Sequence, residues 1–274
     1  MNSRWAAAPY LIWMIIFIVV PLILVVYYSL SVENDMGMVI SLKNFQRFFE
    51  PVYLKVLMRS LKLALIATLL CLILGYPAAL ILAGKSFQRK NIMVMLFVIP
   101  MWMNFLLRTY AWLTLLERNG VLNNLLTKFG MPTLNILYTE SAVILGMVYN
   151  FLPFMVLPIY SVLSKIDHNL IEAAEDLGAN SLVVFGKIIF PLSLPGVISG
   201  IIMVFMPAVS TFVISRLLGG GQFTLIGNLI EQQFLYVGDW GFGSSISLIM
   251  MIIILISMGL MSRFEGDEKG VGLL

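Results

Sequence analysis

Read for hydrophobicity alone, the chain alternates six apolar runs with shorter polar stretches. Each run is near the length a helix needs to cross a bilayer. The runs are Pro9–Leu30, Leu63–Ala83, Ile92–Leu116, Ala142–Leu163, Pro195–Ser215 and Gly241–Met261. The pattern predicts an all-α, polytopic membrane protein whose single transmembrane domain occupies residues 1–274. The first run is longer than the apolar core of a secretory signal and lacks a small-residue cleavage site, so it reads as an anchor. No fixed-period repeat, low-complexity tract or second soluble domain interrupts the pattern.

Composition agrees: 60% of residues are hydrophobic and 11% charged, whereas a soluble domain keeps roughly a quarter charged to cover its surface. Lipid must be the solvent for most of the exterior. A net charge of +3 is too small to point to nucleic acid. The one cysteine, Cys71, sits in an apolar run and excludes an internal disulfide. The one histidine, His168, excludes a multi-histidine metal site.

The chemistry inside the runs is sparse. They contain no Asp, Glu or His, and Arg108 is their only charge. Ion-coupled carriers use such side chains to bind the driving ion, so the energy for any transport has to arrive from outside the membrane region. The chain does not read as the source. Gly84-Lys85-Ser86 resembles the end of a phosphate-binding loop, but Ala79 stands where that loop needs glycine, and the triplet ends a membrane span. No paired histidines or Ser-His-Asp spacing suggests a hydrolase, so the chain reads as a non-enzyme that binds no cofactor of its own.

An even number of spans puts both termini on one side. The total of basic residues does not decide which, but the tight loop after the second run holds Lys85, Arg89 and Lys90 and no acid. That favours cytoplasmic termini. Ser31–Lys62, Glu117–Ser141 and Arg216–Trp240 are then external. Within the first, Phe45, Phe48 and Phe49 suit either a helix lying along the interface or a capped loop packed on neighbouring spans.

The loop Ser164–Leu194 lies between the fourth and fifth runs, on the cytoplasmic side of this topology. Asp167 or Asn169 can cap a short helix whose turns carry Glu172, Glu175 and Asp176. Ala173 and Ala174 keep one face small enough for another surface to approach, and Gly178 permits a sharp redirection. A second helical segment, Leu182–Ile189, leads to Pro191 and Pro195, which set the angle into the fifth run. Composition alone fits either a helix offered to a partner or an ordinary connector packed on its own bundle.

This loop resembles the signature of bacterial ABC importer permeases: Glu-Ala-Ala, three residues, Gly, nine residues, Ile, one residue, Leu-Pro. Glu172, Ala173, Ala174, Gly178, Ile188 and Pro191 all fall at the required spacing, with Phe190 in place of leucine. Further segments, Ser60–Thr68, Leu74–Pro77, Pro153–Tyr160 and Leu225–Ile230, are similar to permeases of spermidine/putrescine importers. The resemblance implies a type I ABC importer permease in the bacterial cytoplasmic membrane. It also implies a second permease subunit, two cytosolic ATPase subunits that hold ATP and Mg, and an extracytoplasmic substrate-binding protein. In that family the loop is the coupling helix, which docks in a groove of the ATPase, and so lies on the cytoplasmic face. Permeases for iron, sulfate, molybdate or phosphonates share the architecture, so the polyamine expectation is narrower than the family one. A secondary carrier would lack the ATPase.

Polar groups inside spans either line a wet path or bond between helices. Trp102, Asn104 and Tyr110 in the third run, Tyr149 and Asn150 in the fourth, and Ser210 and Thr211 in the fifth are candidates for a substrate path. Arg108 is expected to snorkel to the external end. Glu140, Glu231, Tyr236, Asp239 and Trp240 fall near the expected outer mouth, where carboxylates and aromatic faces suit an amine cation. They equally suit loop anchoring or contact with a binding protein.

Overall fold

The computed structural model describes residues 8–34, 37–84 and 90–266. In chain order the elements are α1 (Pro9–Ser29), β1 (Ser31–Asn34), β2 (Gly37–Ile40), α2 (Lys43–Phe48), α3 (Pro51–Ala83) and α4 (Lys90–Trp102). They continue with α5 (Phe105–Leu116), α6 (Val121–Lys128), α7 (Glu140–Leu163), α8 (His168–Asp176) and α9 (Ser181–Ser210). The last are α10 (Val213–Leu218), α11 (Ile226–Gln232) and α12 (Trp240–Gly266). Five helices, α1, α3, α7, α9 and α12, are long and apolar enough to cross a membrane, and the pair Ile92–Trp102 and Phe105–Lys128, bent by 94°, makes a sixth if taken as one span.

That bend corrects the reading of Ile92–Leu116 as one helix. Pro100 lies near the end of α4, and Asn104 leaves helical geometry at φ −55° and ψ 131° to cap α5. Its side chain accepts from Leu106 N (2.8 Å) and Leu107 N (3.4 Å), satisfying donors that a new helix start leaves free. The helical stretch corresponding to the fifth run is displaced too. It begins at Ser181, well before Pro195, and stops at Ser210, where Thr211 turns extended at ψ 134°. The second span starts at Pro51, because Lys55, Arg59 and Lys62 ride on a helix rather than in a loop.

Prolines 191 and 195 do not set an angle between two helices; they lie within one. A π turn over Phe185–Ile189 absorbs Pro191, with Phe190 N–H bonding back to Phe185 O. The same device stands ahead of Pro21, where Val20 N–H bonds to Ile15 O. A proline ring clashes with the carbonyl four residues back, and the wider turn makes room for it without breaking the helix.

The described residues fall into two compact units, one within residues 1–58 and 226–256, the other within 59–225 and 257–274. In the first, β1 and β2 pair antiparallel from Ser31↔Ile40 to Asn34↔Gly37. Helix α2 does not lie free along an interface. Phe48 is buried, and Asn44 Nδ2 donates to the carbonyls of Ser29 (3.3 Å) and Ser31 (2.9 Å). In the second unit α9 packs along α7. Gly196 and Gly200 allow this: a Cβ on Gly196 would meet Pro158 O at 2.9 Å, and one on Gly200 would meet Met155 Sδ at 2.8 Å. Small residues let helices in lipid approach closely enough for dispersion contacts to hold them. Met147, Met155, Ile159 and Val204 fill this core.

The basic loop residues Lys85 and Arg89, with Arg4 and Lys269, lie outside the described residues.

Candidate functional site

The loop between α7 and α9 is built from local bonds. Asp167 caps α8 by accepting from Asn169 N at 3.0 Å. The helix ends at Gly178, whose φ of +83° is open to glycine and strained for other residues. Gly178 N donates to Glu175 O (2.8 Å) and Ala179 N to Ala174 O (3.0 Å), which satisfies the last carbonyls. Asn180 then caps α9 by accepting from Val183 N at 2.9 Å. No residue of α8 is buried. Glu172, Ala173, Glu175 and Asp176 are exposed, and Leu177 and Leu182 flank the turn at 89% and 81% exposure. Two large apolar side chains and three acids are thus exposed together around this turn. On the opposite side, Ile171 and His168 line a small cavity of about 260 Å³ with Leu80, Gly84 and Leu163.

Ile188 and Pro191, the far end of the motif, sit inside α9 at its π turn. There the side chain of Tyr76 on α3 anchors the arm. Its hydroxyl shares a hydrogen bond of 2.8 Å with Ser193 Oγ, and its ring lies 5.9 Å from Phe185 and 6.0 Å from Phe190. The sequence reading passed over this contact, although a tyrosine inside an apolar run already demands a partner for its hydroxyl. From Ser181 to Ser210 the arm runs 30 residues, about 45 Å at 1.5 Å per residue. One continuous helix therefore joins the exposed loop to the opposite end of the unit.

At that end lies a groove of about 380 Å³, lined by Phe105, Phe151, Pro207, Ser210, Thr211 and Phe212 with Val213. Here the break between α9 and α10 meets the start of α5, beside Asn104. The groove's lining is mostly apolar. Ser210 and Thr211 line this groove, and the other candidate path residues are dispersed. Trp102 and Tyr110 stand exposed on α4 and α5. Tyr149 packs 5.2 Å from Trp112 beside a separate, mostly apolar groove. Asn150 is buried: its Nδ2 donates to Gly146 O at 2.9 Å, while its Oδ1 has no partner. Arg108 does not snorkel outward. It is buried, with its guanidinium 6.0 Å from the Phe105 ring, because helical side chains lean toward their own N-terminus.

The candidate mouth residues divide between the units. Glu140, in the second, is shared by Arg59 (3.2 Å) and Lys62 (3.5 Å). In the first unit Asp239 pairs with Arg47 at 2.8 Å and caps α12 by accepting from Phe242 N. The Arg47 guanidinium also lies 4.1 Å over the Phe242 ring. Burial pulls its pKa down, and the hydrogen bonds and charges of Tyr53 and Asp239 outweigh that and hold it above its ordinary value. This cation is permanent. Trp240 packs against Tyr28 and Phe234, Tyr236 is exposed, and Glu231 is half-buried. Arg47, Asp239, Asn44, Tyr28 and Trp240 border a cavity of about 600 Å³. Glu140 and Asp239 are thus neutralised within the chain, which fits loop anchoring.

Comparison with known proteins converges on one family. The family described as binding-protein-dependent transport system inner membrane component matches residues 72–267. The chain is 42% identical over 254 residues, 91% of each sequence, to the spermidine/putrescine transport system permease protein PotB of Escherichia coli (strain K12). It is 39% identical to that of Haemophilus influenzae, covering 88% of this chain and 86% of the relative. A bacterial ABC transporter involved in the import of the acidic polysaccharide alginate has the same fold, with TM-score 0.79 and 17% identity over 95% of this chain and 94% of that one. A bacterial alginate ABC transporter in complex with alginate pentasaccharide-bound periplasmic protein gives 0.81 and 16%, over 98% and 96%. The chain therefore belongs to the family of binding-protein-dependent transport system inner membrane components, multi-pass permeases of the inner membrane.

Proposed function

We propose that this chain is one permease subunit of an ATP-driven polyamine importer, carrying spermidine and putrescine inward. The observation that carries the reading is the 42% identity with a spermidine/putrescine permease across nearly the full length of both chains. A second permease completes the path, two cytosolic ATPase subunits hold ATP and Mg, and an extracytoplasmic binding protein delivers cargo. Both termini and α8 face the cytoplasm.

Mechanically, the exposed face of α8, with Glu172–Asp176 and Leu177, docks on the ATPase. Closure of the ATPase pair displaces α8, and the turn at Gly178 passes the motion into α9. Tyr76 and the Gly196–Gly200 seam hold α9 to its neighbours, so it moves as a rigid body and changes the groove at Ser210 and Thr211. The ATPase must bind α8 differently in its two states, since only such a difference supplies coupling free energy. Trp102, Asn104, Tyr110, Tyr149 and Asn150 join the path through the second permease or through the altered packing.

The test is uptake in cells lacking their own polyamine import, supplied with this chain and the genes beside it. Labelled spermidine or putrescine should accumulate, and excess iron, sulfate, molybdate or phosphonate should not compete. Competition by one of those solutes, with no polyamine uptake, overturns the cargo and leaves the family intact.

A further inference from the structure

Arg108 is the only charge in the six apolar runs, and the fold buries it without a counter-ion. It is 8% exposed, and its Nε is buried with no hydrogen-bond partner. None of the ion pairs among the described residues includes it. Arg108 stands eight residues before the end of α5 at Leu116, and its guanidinium lies 6.0 Å from the Phe105 ring. A cation buried in an apolar surrounding is unfavourable unless a counter-charge meets it.

We propose that a carboxylate on the second permease subunit neutralises Arg108, entering beside Phe105 through the groove bounded by Phe151, Pro207 and Thr211. This inference rests on the reading of the chain as one of two permeases. Phe105, against which Arg108 lies, lines that groove, and a guanidinium suits a carboxylate, which it grips through two parallel hydrogen bonds. The six apolar runs carry no acid, so a second copy has none within those runs to offer. The pairing therefore also selects a different chain as partner, and bars a homodimer.

The test uses the whole transporter purified in detergent, with recovery of the second permease on this tagged chain as the readout. Arg108→Gln should lower recovery at least about tenfold, as expected when one half of a buried pair is left charged, and Arg108→Lys should largely preserve it. Each membrane-embedded Asp and Glu of the second permease is then changed to its amide in the Arg108→Gln background. One of them should restore recovery, and the reversed pair, Arg108→Glu with that acid changed to Lys, should restore it too. Undiminished recovery of Arg108→Gln overturns the proposal, as does the absence of any rescuing position. Because the readout is assembly, it is unaffected if the cargo is something other than a polyamine. Purification of a homodimer would instead remove the two-permease reading itself.

Discussion

Gly178 turns the chain at φ +83° between the exposed helix and the long arm. A side chain there costs about 1–2 kcal/mol of backbone strain, and nothing lies within 4 Å of where its Cβ would stand. Gly178→Asp should therefore insert at normal levels yet abolish uptake, because it redirects α8 and adds charge to the docking face. Immunoblots of membranes alongside transport assays check this. Wild-type uptake would detach the loop from its role. Asn150 poses a different question, since its Oδ1 is buried with no partner. If that oxygen serves the path, Asn150→Leu should lower uptake at unchanged protein level, and unchanged uptake would take Asn150 out of it. Gly178, and Asp167 as one of two cap candidates with Asn169, were legible in the sequence because caps depend on the residue and its immediate neighbours. The direction of Arg108 was not, since a hydropathy pattern holds no information on which face of α5 meets α7 and α10.

Among the elements, the arm α9 carries the most weight. Its π turn inserts one extra residue ahead of Pro191, and reverting to regular α-helix would rotate the upstream segment by about 100° against the membrane part. Pro191→Ala removes the clash that maintains the wide turn. The expected result is a transporter that still assembles but hydrolyses ATP with reduced transport, measured as solute moved per ATP. The α7–α9 seam should respond otherwise. Gly196→Val places a branched side chain where Pro158 O already stands 2.9 Å from a single Cβ, so folded protein should fall at least severalfold in fluorescence-detected size-exclusion of membrane extracts. Unchanged yield would mean the helices are not seated on these glycines. Five of the six spans expected from apolar length correspond to single long helices, and the sixth corresponds to a bent pair. Their ends were less so: Lys55, Arg59 and Lys62 looked like loop residues although they extend a helix, and Asn104 breaks a run that hydropathy leaves continuous.

For the molecule as a whole, sequence and structure each contribute what the other lacks. Spans without acids pointed to an external energy source, and the spacing of Glu172, Ala173, Ala174, Gly178, Ile188 and Pro191 pointed to where the energy enters. Only the fold shows that the loop and the groove at Ser210 and Thr211 are two ends of one helix. The candidate path stayed scattered in the sequence because polar residues in spans look alike whether they bond between helices or face a cargo. The most direct measurement places the complete transporter in liposomes with the binding protein and labelled spermidine, and follows accumulation with and without ATP on the ATPase side. The account predicts uphill accumulation only with ATP, lost when Gly178→Asp replaces the wild-type chain. Accumulation driven by an ion gradient alone, without ATP, would contradict it.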